Sequence, residues 1–264
     1  MNREYHVIQS RLLGHPLELL VFGKTGKPIL VFPSSCGRFF DYENFGMIHE
    51  ISRFIEKGKV QVYCVDGIDR ESWYSDRPPA DRAGRANDYD SAVIREVLPF
   101  IRSRAAGGAG ILTHGCSFGA YHALNFFLRH PDAFDSCIGL SGNYSIQFAV
   151  DGRCEGDVFF HDPLKYLPGL TDPWYLEKLR ENLLILCCGQ GAWEEWRGEA
   201  AEVSRLLREK KVPHWFDVWG HDAAHDWPWW KRQIVYFLDR LDRAGLLARE
   251  KRLDREAVKA FLSQ

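Results

Sequence analysis

The sequence predicts an α/β protein built on a mostly parallel central sheet with helices on both faces. Three observations carry that expectation. Short, continuous apolar runs recur at 28–33, 60–65, 136–140 and 183–188, and such runs suit strands covered on both sides. Segments with helical spacing of apolar residues separate them, the alternation that parallel sheets require. The chain has 264 residues, 45% hydrophobic and 27% charged, which is enough for one large core and ordinary for a globular protein.

Tyr5–Gln9 and Leu17–Phe22 read as edge-like strands, with Gly14-His15-Pro16 as the turn between them. Pro28–Pro33 is a buried strand. Phe45–Glu56 has helical spacing and ends at Lys57-Gly58-Lys59. Val60–Val65 is the next buried strand. Residues 66–88 are polar, with Pro78, Pro79 and Gly84, and read as a long loop that shapes a site. Asp90–Arg104 places Ile94, Val97, Leu98 and Ile101 on one helical face. Gly107-Gly108-Ala109-Gly110 breaks the chain before the strand Ile111–Thr113, and Ala120–Arg129 is a helix stopped by His130-Pro131. Ser136–Leu140 is a strand. Residues 143–173 lack periodicity, so 143–181 is expected to be a cap-like insertion over the active site. Leu183–Cys188 is a strand, Glu199–Lys210 a helix, Trp215–Trp219 the last strand and Trp227–Leu241 a helix. The segment 244–264 closes the chain as an amphipathic helix at Ala244–Leu262. That helix packs either on its own domain, the simpler expectation, or on a second copy, as a homodimer would. The whole chain, 1–264, is expected to form one domain.

Composition excludes several function classes. Lys+Arg number 34 and Asp+Glu 36, a net charge of −2, so no global field draws in nucleic acid or an acidic membrane. No apolar run approaches the ~20 residues of a membrane span. Met1-Asn2-Arg3-Glu4-Tyr5-His6 has no signal-peptide core, which predicts a cytoplasmic protein. The seven cysteines are odd in number, and Cys64, Cys137, Cys187 and Cys188 sit inside apolar runs, as reduced thiols do. No C-x-x-C pair offers a structural zinc site, and neither metal nor cofactor is expected.

Chemistry concentrates at Gly115-Cys116-Ser117-Phe118-Gly119, a G-x-S-x-G pattern between a strand and a helix. A sharp turn there projects the serine hydroxyl above the sheet edge, and its flanks must be small because backbone passes close. The Phe118 N–H at the helix start can face a developing oxyanion. The plainer reading is a glycine-flanked turn with a serine cap. The strand–turn–helix context favours a nucleophile. Cys116 then packs beneath the turn, and Cys36 is buried or lines the site.

A serine needs a base, expected after the last strand. His221 and His225 lie there, and His225, next to the helix start, is the better placed. Their spacing of four would suit a metal only on a helix, which Gly220 opposes. The acid should follow Leu183–Cys188. No aspartate is near, so Glu194, with Glu195 as alternative, is expected to orient the histidine. Either glutamate could equally be an exposed carboxylate at a helix start.

Gly115-Cys116-Ser117-Phe118-Gly119-Ala120-Tyr121-His122-Ala123-Leu124, followed by Arg129-His130-Pro131-Asp132-Ala133-Phe134, resembles the elbow and helix of the putative-esterase family of α/β-hydrolases. That family includes esterase D-like S-formylglutathione hydrolases, feruloyl esterases and antigen 85 mycolyltransferases. His225-Asp226-Trp227-Pro228-Trp229-Trp230 is similar to the family's histidine motif, a second reason to prefer His225. The resemblance runs from about Pro28 to Leu238 and implies the α/β-hydrolase fold. Two positions depart from the pattern. The family's acid position falls on Ala192, and Phe32-Pro33-Ser34-Ser35-Cys36-Gly37 replaces the His-Gly of many relatives. By position, the Ser35 N–H is the second oxyanion donor beside that of Phe118.

The expected function is a serine carboxylic-ester hydrolase acting on small acyl or aryl esters through Ser117, His225 and Glu194. An acyltransferase or a peptidase could use the same groups, and a non-catalytic binding protein could keep the fold. Five of nine tryptophans lie between Trp215 and Trp230, and Phe39, Phe40 and Tyr42 follow the oxyanion loop. They could line an aromatic pocket, although such rings are more often core. The arginines of 70–85 are nearly balanced by acids and read as a solvated loop.

Overall fold

The computed structural model describes residues 1–105, 107–247 and 251–263. Eight strands form one sheet: β1 (Arg3–Gln9), β2 (Pro16–Phe22), β3 (Lys27–Phe32), β4 (Val60–Val65), β5 (Ile111–Cys116), β6 (Phe134–Leu140), β7 (Leu183–Cys188) and β8 (His214–Val218). Their spatial order is β1-β2-β4-β3-β5-β6-β7-β8. Only the β1–β2 and β2–β4 pairings are antiparallel; β4 through β8 run parallel.

The period of two splits each central strand between two cores. Leu30 and Phe32 of β3, Tyr63 and Val65 of β4, and Leu184 and Leu186 of β7 face one side. Ile29 and Val31, Val62 and Cys64, and Ile185 and Cys187 face the other. Burial on both faces explains why these strands read as unbroken apolar runs. Asp41–Asn44, Met47–Glu50 and Ser52–Glu56 (α1, α2, α3) cover the second face, together with Trp227–Arg243 (α10) and Arg255–Leu262 (α11). The first face takes Pro79–Ala92 (α4), Leu98–Arg104 (α5), Phe118–Arg129 (α6) and Arg197–Glu209 (α9). Between β6 and β7 the chain makes two 3-10 turns, 147–149 and 156–161, and the helices Pro163–Gly169 (α7) and Pro173–Glu181 (α8). Ile146, Ala149, Val150 and Val158 of this segment pack on Phe118 and Tyr121 at the start of α6, and on Trp73, Ala83 and Ala86.

Three elements differ from the sequence expectation. The loop expected at 66–88 ends at Pro78, because α4 begins at Pro79 and continues through a π-helical turn at Val93–Val97 into α5. Proline is at home in a first helical turn, and the buried face of α4 is mostly alanine, so its apolar contrast is weak. The helix expected at Phe45–Glu56 is broken into short pieces, with Gly46 at φ 81° capping the start of α2. The single tail helix expected at 244–262 is interrupted too. Here α10 ends at Arg243, Gly245 adopts φ 71°, residues 248–250 lie outside the described residues, and α11 starts at Arg255 behind an Asp254 cap. Val258 and Phe261 of α11 are buried against this chain's own sheet face.

A buried ion pair ties the sheet together. Lys27 Nζ of β3 donates to both oxygens of Asp135 in β6 at 2.8 and 2.9 Å, and the two side chains are 3% and 0% exposed. Asp135 also accepts from Leu253 N at 2.8 Å and from Ser136 Oγ at 2.8 Å, so its acceptor sites are filled as burial demands.

Candidate active site

Parallel sheets present their ligand sites at the carboxyl ends of the strands. The loops after β3, β4, β5, β6, β7 and β8 meet there.

The loop after β5 carries Ser117. Its backbone sits at φ 57°, ψ −126°, a region that L-residues rarely occupy and that costs of order 1–3 kcal/mol. Two glycines permit the turn. A Cβ at Gly115 would stand 2.2 Å from the Gly119 backbone, and one at Gly119 would stand 2.6 Å from the carbonyl oxygens of Phe32 and Pro33. Ser117 N–H donates to Leu140 O at 2.9 Å, which fixes the turn to the end of β6. Cys116 is 3% exposed, and burial pushes its thiol well above its ordinary value, so it packs under the turn as an inert side chain.

The structure brings Ser117 and His225 together: Ser117 Oγ lies 2.9 Å from His225 Nε2. The His225 N–H donates to Ala192 O at 2.9 Å, joining the loops after β7 and β8. Trp196 and Trp230 flank its ring, with centroids 5.5 and 5.0 Å away. His225 Nδ1 is buried and makes no hydrogen bond among the described residues. It faces Glu194 Oε2 at 3.8 Å, an ion-pair distance rather than a hydrogen bond.

Glu194 has a side chain only 3% exposed. Its other oxygen, Oε1, accepts from Ser141 Oγ at 2.5 Å and from Gly189 N at 3.0 Å. Burial pushes this carboxyl up, but the neighbouring His225 ring, the Ser141 hydroxyl and the Gly189 amide pull harder and hold it below its ordinary value. Trp193, at φ 60°, turns the chain just before it. Glu195 and His221 are exposed, and the structure brings neither to Ser117.

The loop after β3 approaches the elbow from the side. Ser34–Gly37 is a turn closed by Gly37 N–H to Ser34 O at 2.8 Å, with Cys36 at φ 54°. Ser35 is exposed, and its Oγ accepts from Tyr74 OH at 3.1 Å. The Cys36 N–H donates to Asp69 Oδ2 at 2.9 Å, and His122 Nε2 lies 2.8 Å from Asp69 Oδ1.

Of the aromatic residues that the sequence put forward, Trp230 stands beside the His225 ring, while several others belong to the core. Phe39 and Tyr42 are buried, and Trp215 packs on Phe237 and Phe261. Tyr74 and Phe148, 41% and 49% exposed, form an open rim over the buried Phe118, at centroid distances of 5.2 to 5.7 Å. Sequence reasoning missed Asp69, Ser141, Tyr74 and Phe148. Asp69 and Ser141 each follow a buried strand closely, so the strand-end rule alone could have singled them out.

All seven cysteines are free thiols. Among the described residues, no three His, Cys, Asp or Glu side chains are grouped as a metal site needs, and no helix is long and apolar enough to cross a membrane.

Comparisons with known proteins agree with this architecture. No curated protein matches the chain. Among solved structures it is similar to a ferulic acid esterase, at TM-score 0.70 and 18% identity over 92% of this chain and 97% of that one. It is also similar to the fluorophosphonate-binding serine hydrolase F of Staphylococcus aureus, at TM-score 0.64 and 15% identity over 100% and 99% of the two chains. An S-formylglutathione hydrolase of the same organism matches at TM-score 0.62 and 18% identity, over 90% and 97%. At such identities the likeness shows the α/β-hydrolase fold alone. The model of the family described as putative esterase matches residues 37–241, most of the chain, and the protein therefore belongs to that family.

Proposed function

We propose that this protein is a serine carboxylic-ester hydrolase that works through an acyl-enzyme on Ser117. One observation carries the reading: a serine held in a left-handed turn, 2.9 Å from the Nε2 of a histidine. A hydroxyl is a weak nucleophile until a base takes its proton, and His225 is within reach to do so. Ser117 Oγ attacks the ester carbonyl as His225 Nε2 accepts the proton. The Phe118 and Ser35 amides stabilise the oxyanion; one such donor is worth about 2.7–4 kcal/mol in comparable sites. His225 then protonates the leaving alcohol, and a water activated by the same imidazole releases the acid.

Glu194 orients the imidazole and stabilises its charged form. Its 3.8 Å separation from Nδ1 fits a resting site that tightens as charge develops on the ring. Tyr74 and Phe148, exposed over the buried Phe118, favour a small acyl or aryl group beside the nucleophile, because an exposed aromatic rim gains most by covering an apolar ligand.

The test is fluorophosphonate labelling of the wild type and of Ser117→Ala, read by intact mass. One adduct on the wild type and none on the variant is the expected result. A folded wild type that takes no adduct would overturn the reading in favour of a binding protein.

A further inference from the structure

We propose that Asp69 is a positioning residue that sets the two oxyanion donors against each other, an inference that rests on the hydrolase reading of Ser117. The donors come from separate loops. Phe118 N–H opens α6, and Ser35 N–H belongs to the turn after β3. Asp69 comes from a third loop, after β4, and is 3% exposed. Its Oδ2 takes the N–H of Cys36 in the turn, and its Oδ1 takes Nε2–H of His122, five residues beyond Ser117 on the elbow helix. A carboxylate offers only acceptors, so both contacts point their hydrogens at it. One buried group thus spans both halves of the oxyanion site.

The turn itself needs this anchor. A Gly37 N–H to Ser34 O bond with a positive φ only at the third residue defines a type II turn, in which glycine is the preferred third residue. Here that residue is Cys36, whose Cβ disfavours the conformation. The competing type I turn keeps φ negative, but it rotates the central peptide by about half a turn. That rotation would withdraw the Cys36 N–H from Asp69 and leave a buried carboxylate oxygen unpaired. Ser34 C=O points inward and the Ser35 N–H outward in either turn; what Asp69 fixes is the central peptide, and with it the path of the chain that carries Ser35. The same loop adds a second hold, since Tyr74 N–H donates to Asp69 O at 2.8 Å and Tyr74 OH donates to Ser35 Oγ.

An interaction that shapes only the oxyanion site should appear in kcat and not in KM. The experiment compares wild type, Asp69→Ala, Asp69→Asn and the double variant Asp69→Ala/Cys36→Gly. It uses p-nitrophenyl acetate as substrate and a trifluoromethyl ketone as the probe whose hemiketal oxygen occupies the oxyanion site. Circular dichroism and melting confirm the fold of each variant. Asp69→Ala is expected to lower kcat roughly 10²-fold, the scale of a 1 Å misplacement, with KM within about twofold. The ketone's inhibition constant should rise by the same factor. Asp69→Asn, which keeps one acceptor, should fall between. Cys36→Gly should restore part of kcat in the Asp69→Ala background, because glycine holds the left-handed turn unaided. Unchanged kcat in folded Asp69→Ala, or a fall in kcat with unaltered ketone binding and no rescue by glycine, overturns the proposal alone. A wild type that takes no fluorophosphonate overturns the hydrolase reading and this proposal with it.

Discussion

The Ser141 hydroxyl and the Glu194 carboxylate stand 2.5 Å apart, with Ser141 Oγ donating to Oε1. Ser141 follows β6 at φ 49°, and its Oγ also accepts from the Trp230 indole at 3.0 Å. The carboxylate is thereby gripped on one oxygen and leaves the other facing His225. Glu194 and Glu195 are told apart by this grip and by the turn at Trp193, not by the residue type.

Glu194→Ala should lower kcat by roughly 10²–10⁴-fold, the scale seen when the orienting acid of such a group is lost. Glu195→Ala, at an exposed position, should leave kcat unaltered. Steady-state hydrolysis of p-nitrophenyl acetate by the two variants checks the assignment. Equal effects would reject it.

Ser141→Ala should weaken both activity and stability. It frees Glu194 Oε1 and strands the buried Trp230 N–H, at a cost of about 1–3 kcal/mol. Urea titration measures the loss, and kcat should fall by less than in Glu194→Ala because the carboxylate remains.

Tyr74→Ala and Phe148→Ala should raise KM for aryl esters more than for acetyl esters of small alcohols. Each ring removed takes away part of an open apolar surface, and aromatic pairs are worth ~0.5–1.5 kcal/mol beyond their area. A panel that varies one side of the ester reads the effect. Uniform changes across the panel would remove these rings from substrate binding.

Glu199 predicts a signed dependence of stability on pH. Burial pushes its carboxyl up to about 7, despite N–H bonds from Tyr144 and Ser145 at 2.6 and 3.0 Å. Between pH 4.5 and about 7 the folded chain keeps a proton that the unfolded chain releases, so this group's contribution falls as pH rises through that window. His114 acts the other way. Burial lowers it from 6.5 to about 4, and stability from it is lost as pH falls through that range. The melting temperature of Glu199→Gln minus that of wild type should therefore grow between pH 4.5 and 7 and level off above. Parallel curves would contradict the assignment.

Breaking the Lys27–Asp135 pair from one side should be costly. Lys27→Met leaves a buried carboxylate without its cation, a loss of about 3–5 kcal/mol. Changing both residues to apolar ones of similar size should recover much of that loss. Denaturant unfolding of the two single variants and the double variant supplies the cycle.

The sequence's legibility followed physical contrast. Strands β3, β4 and β7 showed themselves because both faces are buried and all their residues but Lys27 and Gln61 are apolar. The α4 helix hid because its buried face is Ala83, Ala86 and Ala92 with a single large residue, Tyr89, a face that packs closely without a strong apolar stripe. Ser117 stood out because a sharp turn needs glycine at fixed offsets. Asp69 left no comparable mark, since its partners, Cys36 and His122, are 33 and 53 residues away and meet it only through the fold.

The contacts of Asp135 also bear on the order of folding. Its partners Lys27 and Leu253 lie 108 and 118 residues away on opposite sides along the chain. Contacts of such separation close late, after loop entropy has been overcome. A chain that has assembled β3 beside its neighbours but has not yet docked the segment before α11 still lacks one donor for a carboxylate meant to be dry. Water can occupy that place until Leu253 arrives, so docking of the 252–253 segment is what excludes solvent from this carboxylate.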